Sequence, residues 1–298
     1  MANVTIKAEE VIDAAELSLS REVVLPKLCW TDLQRENFVG AKDDSVTLRL
    51  PAVATATVRA LRSTADVTFN ELTETPVTVT LDSDVSVDLK SSLVEQTLDL
   101  IPFSQRFIVP ATKAQAIGVE DVIATELDSA NPRDIITWDG TAGGVKAALL
   151  AAGKAFNIGN VPMSRRSVLV GANSYVEFVD YASTVSGLVS STIMDNAISE
   201  AQIGRLFGFN VVTSNAIDPD AVYAIAPYAI AFIGFGPVIP AGAVDGAHGT
   251  TEGIGFSIIQ DYDPVKRSDR LSVQTYVGAQ SVEIGGVNPW LLRIGDFS

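Results

Sequence analysis

The sequence predicts an α+β fold whose two longest elements, a β-hairpin and a helix, exceed what a single compact core can cover. Three observations carry this. Residues 77–89 alternate, with Val77, Val79, Leu81, Val85, Val87 and Leu89 on one face and Thr78, Thr80, Asp82, Asp84, Ser86 and Asp88 on the other, the period-two pattern of a half-buried strand. Residues 45–62 alternate likewise, setting Val46, Leu48, Leu50, Ala54, Ala56 and Val58 against Thr47, Arg49, Thr55, Thr57 and Arg59. Within 103–130, Phe107, Ala111, Ala114, Gly118 and Val122 recur at helical spacing, which predicts a long helix packing through that face.

At roughly 3.3 Å per residue, 77–89 would run about 40 Å, against a usual strand of about 5 to 6 residues. The polar stretch 63–74 then forms the broad tip of one antiparallel hairpin with 45–62. A two-stranded ribbon alone is marginal in water, and no flanking segment is composed to cover its full length. The apolar face is therefore expected to be buried against another copy of the chain, through Val46, Leu48, Leu50, Val58, Val77, Val79, Leu81, Val85 and Val87. The helix is about 36 Å long at 1.5 Å per residue. Ser104 suits its N-cap, and Pro110 either kinks it or marks the start of its regular part.

The remaining elements follow in order. Val11, Ile12, Ala15 and Leu19 suit a short amphipathic helix, and 23–30 is apolar and extended, so the N-terminal segment reads as an arm without a core. After Asn131-Pro132 the chain changes character. An alanine-rich helix is expected over 141–156, a buried strand over 167–171, a helix over 174–181, a further segment at 198–203, a turn and strand over 204–215, and an uncharged apolar block over 221–244. That block contains Pro227, Pro237 and Pro240, which break a spanning helix, so it reads as buried strands and turns. Helices alternating with short strands imply a compact α/β unit over about 135–244. Strand signals return over 253–292, and 91–134 with 245–298 are expected to form a second domain around the inserted one.

Composition removes several functions. Asp and Glu number 36 against 21 Lys and Arg, a formal charge of −15, which opposes a dedicated nucleic-acid reader. Basic clusters at Arg165 and Arg166, and at Lys266, Arg267 and Arg270, read as solvated or ion-paired surface. The single cysteine, Cys29, excludes an internal disulfide framework. The first twenty residues carry acids where an export signal needs an apolar core. His248 is the only histidine, so His-based triads and multi-His metal sites are unsupported. None of G-x-S-x-G, G-x-x-x-x-G-K-[ST] or G-x-G-x-x-G occurs. Acidic pairs such as Glu9 with Glu10, Asp43 with Asp44 and Asp261 with Asp263 read as turns and solvated faces. The expectation is a non-enzyme without catalytic, cofactor or metal residues.

This order of arm, long hairpin, long helix, inserted α/β unit and returning strands resembles the major capsid protein of tailed bacteriophages, the Hong Kong 97 type of fold. Residues 40–52 (GAKDDSVTLRLPA) resemble the start of its E-loop, and 103–116 (FSQRFIVPATKAQA) the start of its spine helix. Residues 161–179 resemble the helix, strand and helix that follow, 197–217 its small-residue turn before a G-F-x-V strand, and 221–233 the next strand. The resemblance implies an N-arm over 1–42, an E-loop over 43–90, a peripheral domain with the spine helix over 91–134, an axial domain over 135–244 and peripheral return strands over 245–298. Phe107, Ala111, Ala114, Gly118 and Val122 would then be the packing face of the spine helix. It further implies hexamers and pentamers of the chain in an icosahedral head around double-stranded DNA, a separate scaffolding protein, a portal and room for a decoration protein, with no membrane. Within the family the chain looks closest to the coat proteins of the Salmonella short-tailed phage type, though it has no room for their extra inserted domain. An encapsulin-type shell around cargo enzymes is the alternative of the same fold. Residues 43–89 contain no Lys, so the isopeptide cross-link of the family's namesake is not expected.

Overall fold

The computed structural model describes residues 24–31, 44–50, 56–62, 66, 69, 74–92, 109–184, 204–251, 254–266 and 268–295. The segments expected at 8–19, 104–108 and 198–203 lie outside the described residues.

The hairpin root comes first. β1 (Ser45–Leu50) pairs antiparallel with β2 (Thr75–Thr80), and Val46 faces Val79 while Leu48 faces Val77. The expected continuous strand over 77–89 is instead two. β2 ends at Thr80, Leu81 donates its backbone N–H to Asp44 O at 3.0 Å, and β3 (Ser83–Ser92) joins a different sheet. Alternation persists through the break because both halves keep their apolar side inward, against different partners. Val77 and Val79 pack with Ala231, Ile233 and Val282, whereas Val85, Val87 and Leu89 pack towards the long helix α1 (Val109–Ser129).

Two larger sheets hold the rest. A six-stranded sheet runs β4-β13-β8-β5-β7-β6, built from β4 (Pro132–Ile136), β5 (Ser167–Val170), β6 (Arg205–Leu206), β7 (Phe209–Thr213), β8 (Val222–Ile225) and β13 (Asn288–Ile294). Helices α2 (Ala142–Ile158) and α3 (Ala172–Thr184) bury Val145, Leu149, Ala152, Phe156 and Phe178 in its core. A five-stranded sheet combines β3 with β9 (Ile230–Phe235), β10 (Asp245–Thr251), β11 (Ile254–Asp263) and β12 (Ser268–Ser281) in the order β10-β11-β9-β12-β3. α1 lies on this sheet, with Val119, Ile123 and Leu127 in one cluster with Phe256, Ile258, Leu271 and Val273.

Sheet membership moves the expected boundaries at 135, 244 and 245. The apolar block 221–244 is split, since β8 lies in the six-stranded sheet and β9 in the five-stranded one. The last strand, β13, returns to the six-stranded sheet, between β4 and β8. The block is apolar throughout because it runs from the centre of one core into the centre of the other. No helix among the described residues is long and apolar enough to cross a membrane.

The seat of α1 is close at one point. A Cβ built on Gly118 would lie 2.8 Å from Val85 Cγ1, nearer than packed carbons approach. Gly118→Ala is expected to cost about 1 to 2 kcal/mol through overpacking, measured by urea denaturation of the unassembled chain. In a Val85→Ala background the same change should become neutral or stabilising, since Ala exceeds Gly in helix propensity by about 1 kcal/mol. An equal cost in both backgrounds would contradict this contact.

Candidate assembly surface

The hairpin is rooted in the chain's own core, and beyond the root its described large apolar side chains are exposed. Leu50 and Val77 are 7% and 5% exposed and Val79 fully buried, so the root is held by the burial of apolar area. Across its outer face Thr47 and Thr78 hydroxyls lie 3.2 Å apart and Arg49 pairs with Glu74 at 3.5 Å, both exposed. Such pairs contribute about 0 to 1 kcal/mol, so apolar packing holds the root. Past it the environment inverts. Val58 is 95%, Leu61 94% and Phe69 87% exposed, large apolar side chains carried on the arm with no cover from the described residues of their own subunit. Large apolar side chains left in solvent are what an interaction surface is made of.

This divides the nine residues expected on the intersubunit face. Leu50, Val77 and Val79 are buried in the subunit, Val46, Leu48 and Leu81 pack half-buried on the same cluster, and Val85 and Val87 face α1. Only Val58 stands in the open. The expectation that another copy covers the whole apolar face is thus corrected for the root, which the chain covers by itself.

The long helix is also turned from the expected stripe. Its buried residues are Ala111, Thr112, Gln115, Ala116, Val119, Ile123, Ala124 and Leu127. Of the expected set, Ala111 is buried, Gly118 and Val122 are half-buried, Ala114 is exposed, and Phe107 lies outside the described residues. Three polar side chains secure this setting. Gln115 Nε2 donates to Thr275 Oγ1, which in turn donates to Gly255 O at 3.2 Å. Glu120 Oε1 accepts the backbone N–H groups of Val24 and Leu25 at 2.6 and 3.0 Å, pinning the 3-10 turn Leu25–Leu28 to the helix. Glu126 Oε1 accepts from Ser281 N at 2.6 Å and Gln280 Nε2 at 3.2 Å, and burial pushes its carboxyl above the usual range despite these donors. Hydrophobic periodicity does not register such polar anchors. The spacing of the large apolar residues Val119, Ile123 and Leu127 at i, i+4 and i+8 was the available signal for the face.

Among the described residues, Cys29 and Asp263 make structural contacts. Burial pushes the Cys29 thiol up to about 12, and its Sγ donates to Leu25 O at 3.3 Å. Asp263 caps the turn after β11 by accepting from Val265 N and Lys266 N at 2.9 and 3.1 Å and pairs with Arg270, and the Lys266 N–H first, with the Val265 N–H and the Arg270 guanidinium, holds its carboxyl below the usual range. His248 is exposed on β10. Among the described residues no group of three or more His, Cys, Asp or Glu is placed to hold a metal.

No family model and no curated protein matches the chain. Solved structures do. A protein of Mycobacterium phage Che8 is 18% identical, with a TM-score of 0.63 over 92% of each chain. The capsid of cyanophage P-SCSP1u is 11% identical, with a TM-score of 0.59 over 85% of this chain and 84% of that one. A virus-like particle from Pyrococcus furiosus is 10% identical, with a TM-score of 0.55 over 96% of this chain and 98% of that one. At such identities the likeness is one of fold, and by that likeness the chain has the mixed α and β fold of phage capsid proteins.

Proposed function

We propose that the chain is the major capsid protein of a tailed phage or related prophage, self-assembling through hexamers and pentamers into an icosahedral head that encloses double-stranded DNA. The arm is the observation that carries this reading. An arm anchored by its root and carrying exposed Val58, Leu61 and Phe69 suits a neighbour that covers it, and a head-to-tail contact of this kind makes a ring where its rotation closes. A separate scaffolding protein and a portal complete the proposed assembly in the host cytoplasm, and a decoration protein would act from outside. With a charge of −15, the coat would hold DNA without sequence preference and without condensing it, which suits packaging by an external motor. Within the class, the proposed type is that of the Salmonella short-tailed phage coat proteins, without their extra inserted domain.

A second reading, a shell around cargo proteins, draws on the likeness to the Pyrococcus furiosus virus-like particle. Negative-stain images of the chain expressed with and without a scaffold test both. Closed shells are expected, and a persistent monomer in either condition would overturn the two readings together. Shells that form alone and co-purify with a folded cargo protein would favour the second.

Because residues 43–89 lack Lys, mature particles boiled in denaturant should release single chains of 31.5 kDa. A ladder of covalent multimers on the gel would require Lys42 or Lys90 to reach a partner.

A further inference from the structure

Among the described residues, exposed basic side chains gather at one end of the six-stranded sheet and a cluster of carboxylates at the other, and each end also bears exposed apolar side chains. β5 and β8 are antiparallel, with Ser167 opposite Ile225 and Val170 opposite Val222, so the loop before β5 and the loop before β8 lie at opposite ends. At the first end Arg165 and Lys154 are exposed and the Arg133 guanidinium packs over Gly159. Ile158 and Met163 are each 66% exposed there. At the second end a cleft of about 690 Å³ is lined by Asp128, Glu177, Asp218 and Asp220, with Arg293 as its one guanidinium. Val176, 63% exposed, adjoins Glu177 on α3.

We propose that these ends meet between copies, the basic end of one chain docking through Ile158, Met163 and Arg165 on the acidic cleft and Val176 of the next. The occupant is a second copy because the complement of each surface stands at the other end of the same domain. Like ends brought together would set four carboxylates against four, or cation against cation, so the contact is heterologous, the kind that closes into a ring. This rests on the shell reading and adds a contact separate from the arm.

Charge reversal at each end provides the test. Arg165→Glu and Asp220→Lys lie on exposed loops, and both subunits should melt as the parent does. Each alone should lower the particle yield with scaffold by about tenfold or more at about 0.15 M salt, where exposed charges still interact over about 8 Å. Combined in one chain, they should restore the yield to within about twofold, because the reversed ends again complement each other. Single variants that assemble like the parent, or a folded double variant that assembles no better than either single, would overturn the contact. The same single-variant result is expected if the cleft instead takes a small cation or a basic segment of another protein. A parent chain that forms no particle would overturn the shell reading and this contact with it.

Discussion

Excising residues 51–74 and joining Leu50 to Thr75 through Asn-Gly is expected to leave a folded subunit that builds no shells. Leu50 and Thr75 face each other in the β1–β2 ladder, so a two-residue turn closes the shortened hairpin without a change of register. The buried root residues, Val77 and Val79, remain in place, and the exposed Val58, Leu61 and Phe69 are removed. Circular dichroism and thermal unfolding should match the parent to within about 1 kcal/mol, while sedimentation shows subunits in place of particles. Normal shells would remove the arm from assembly. Loss of the fold would show that the arm supports its own subunit. Excision of the full hairpin, 43–89, is a different experiment, because it takes Val79 and Val87 out of two cores.

Gln115→Asp should be among the most damaging single changes on the long helix. Gln115 is 1% exposed and donates to Thr275 Oγ1 between helix and sheet. A carboxylate in its place loses the donor and meets an acceptor in a dry site, at a cost of several kcal/mol unless it protonates. Insoluble or unfolded coat protein is the expected result, and stability should recover in part as the pH falls and the acid becomes neutral. Ala114→Asp, one position round on the exposed face, should keep the unassembled subunit within roughly 0.5 kcal/mol of the parent. Chemical denaturation of both variants decides. The reverse order would restore the stripe through Ala114 and place the described helix in the wrong rotation.

That stripe shows where the sequence was legible and where it was not. The helix itself, the antiparallel pairing of the two hairpin legs and the α2, β5, α3 succession are set by local periodicity and were readable, whereas the register was not, since a strand over 45–62 closed at 63–74 would set Val46 beyond Leu89 and the structure sets it against Val79. The rotation of α1 was not, because alanines at 111, 114 and 116 mark both faces with equal weight, and the buried anchor is a glutamine. The break at Leu81 was hidden for a related reason. A change of partner leaves the period of two intact, so β2 and β3 read as one strand although one seats the arm and the other seats the helix. The return of β13 to the first sheet is a long-range pairing, to which no local pattern points. For the assembly surface, Val58 was legible as apolar, but only the burial of Val77 and Val79 separates root from arm.

The fully buried Val79 has a mechanical meaning as well. About 12 residues in each leg beyond Leu50 and Thr75 can reach roughly 40 Å, so the root acts as the short end of a lever. A rotation of about 5° there would carry a fully extended tip some 3 to 4 Å sideways, about one carbon–carbon contact distance. In the proposed shell the snugness of a few valines would set the aim of a distant contact, and with it the curvature on which a closed surface depends. A looser root would then leave a subunit that folds normally and tiles with the wrong radius.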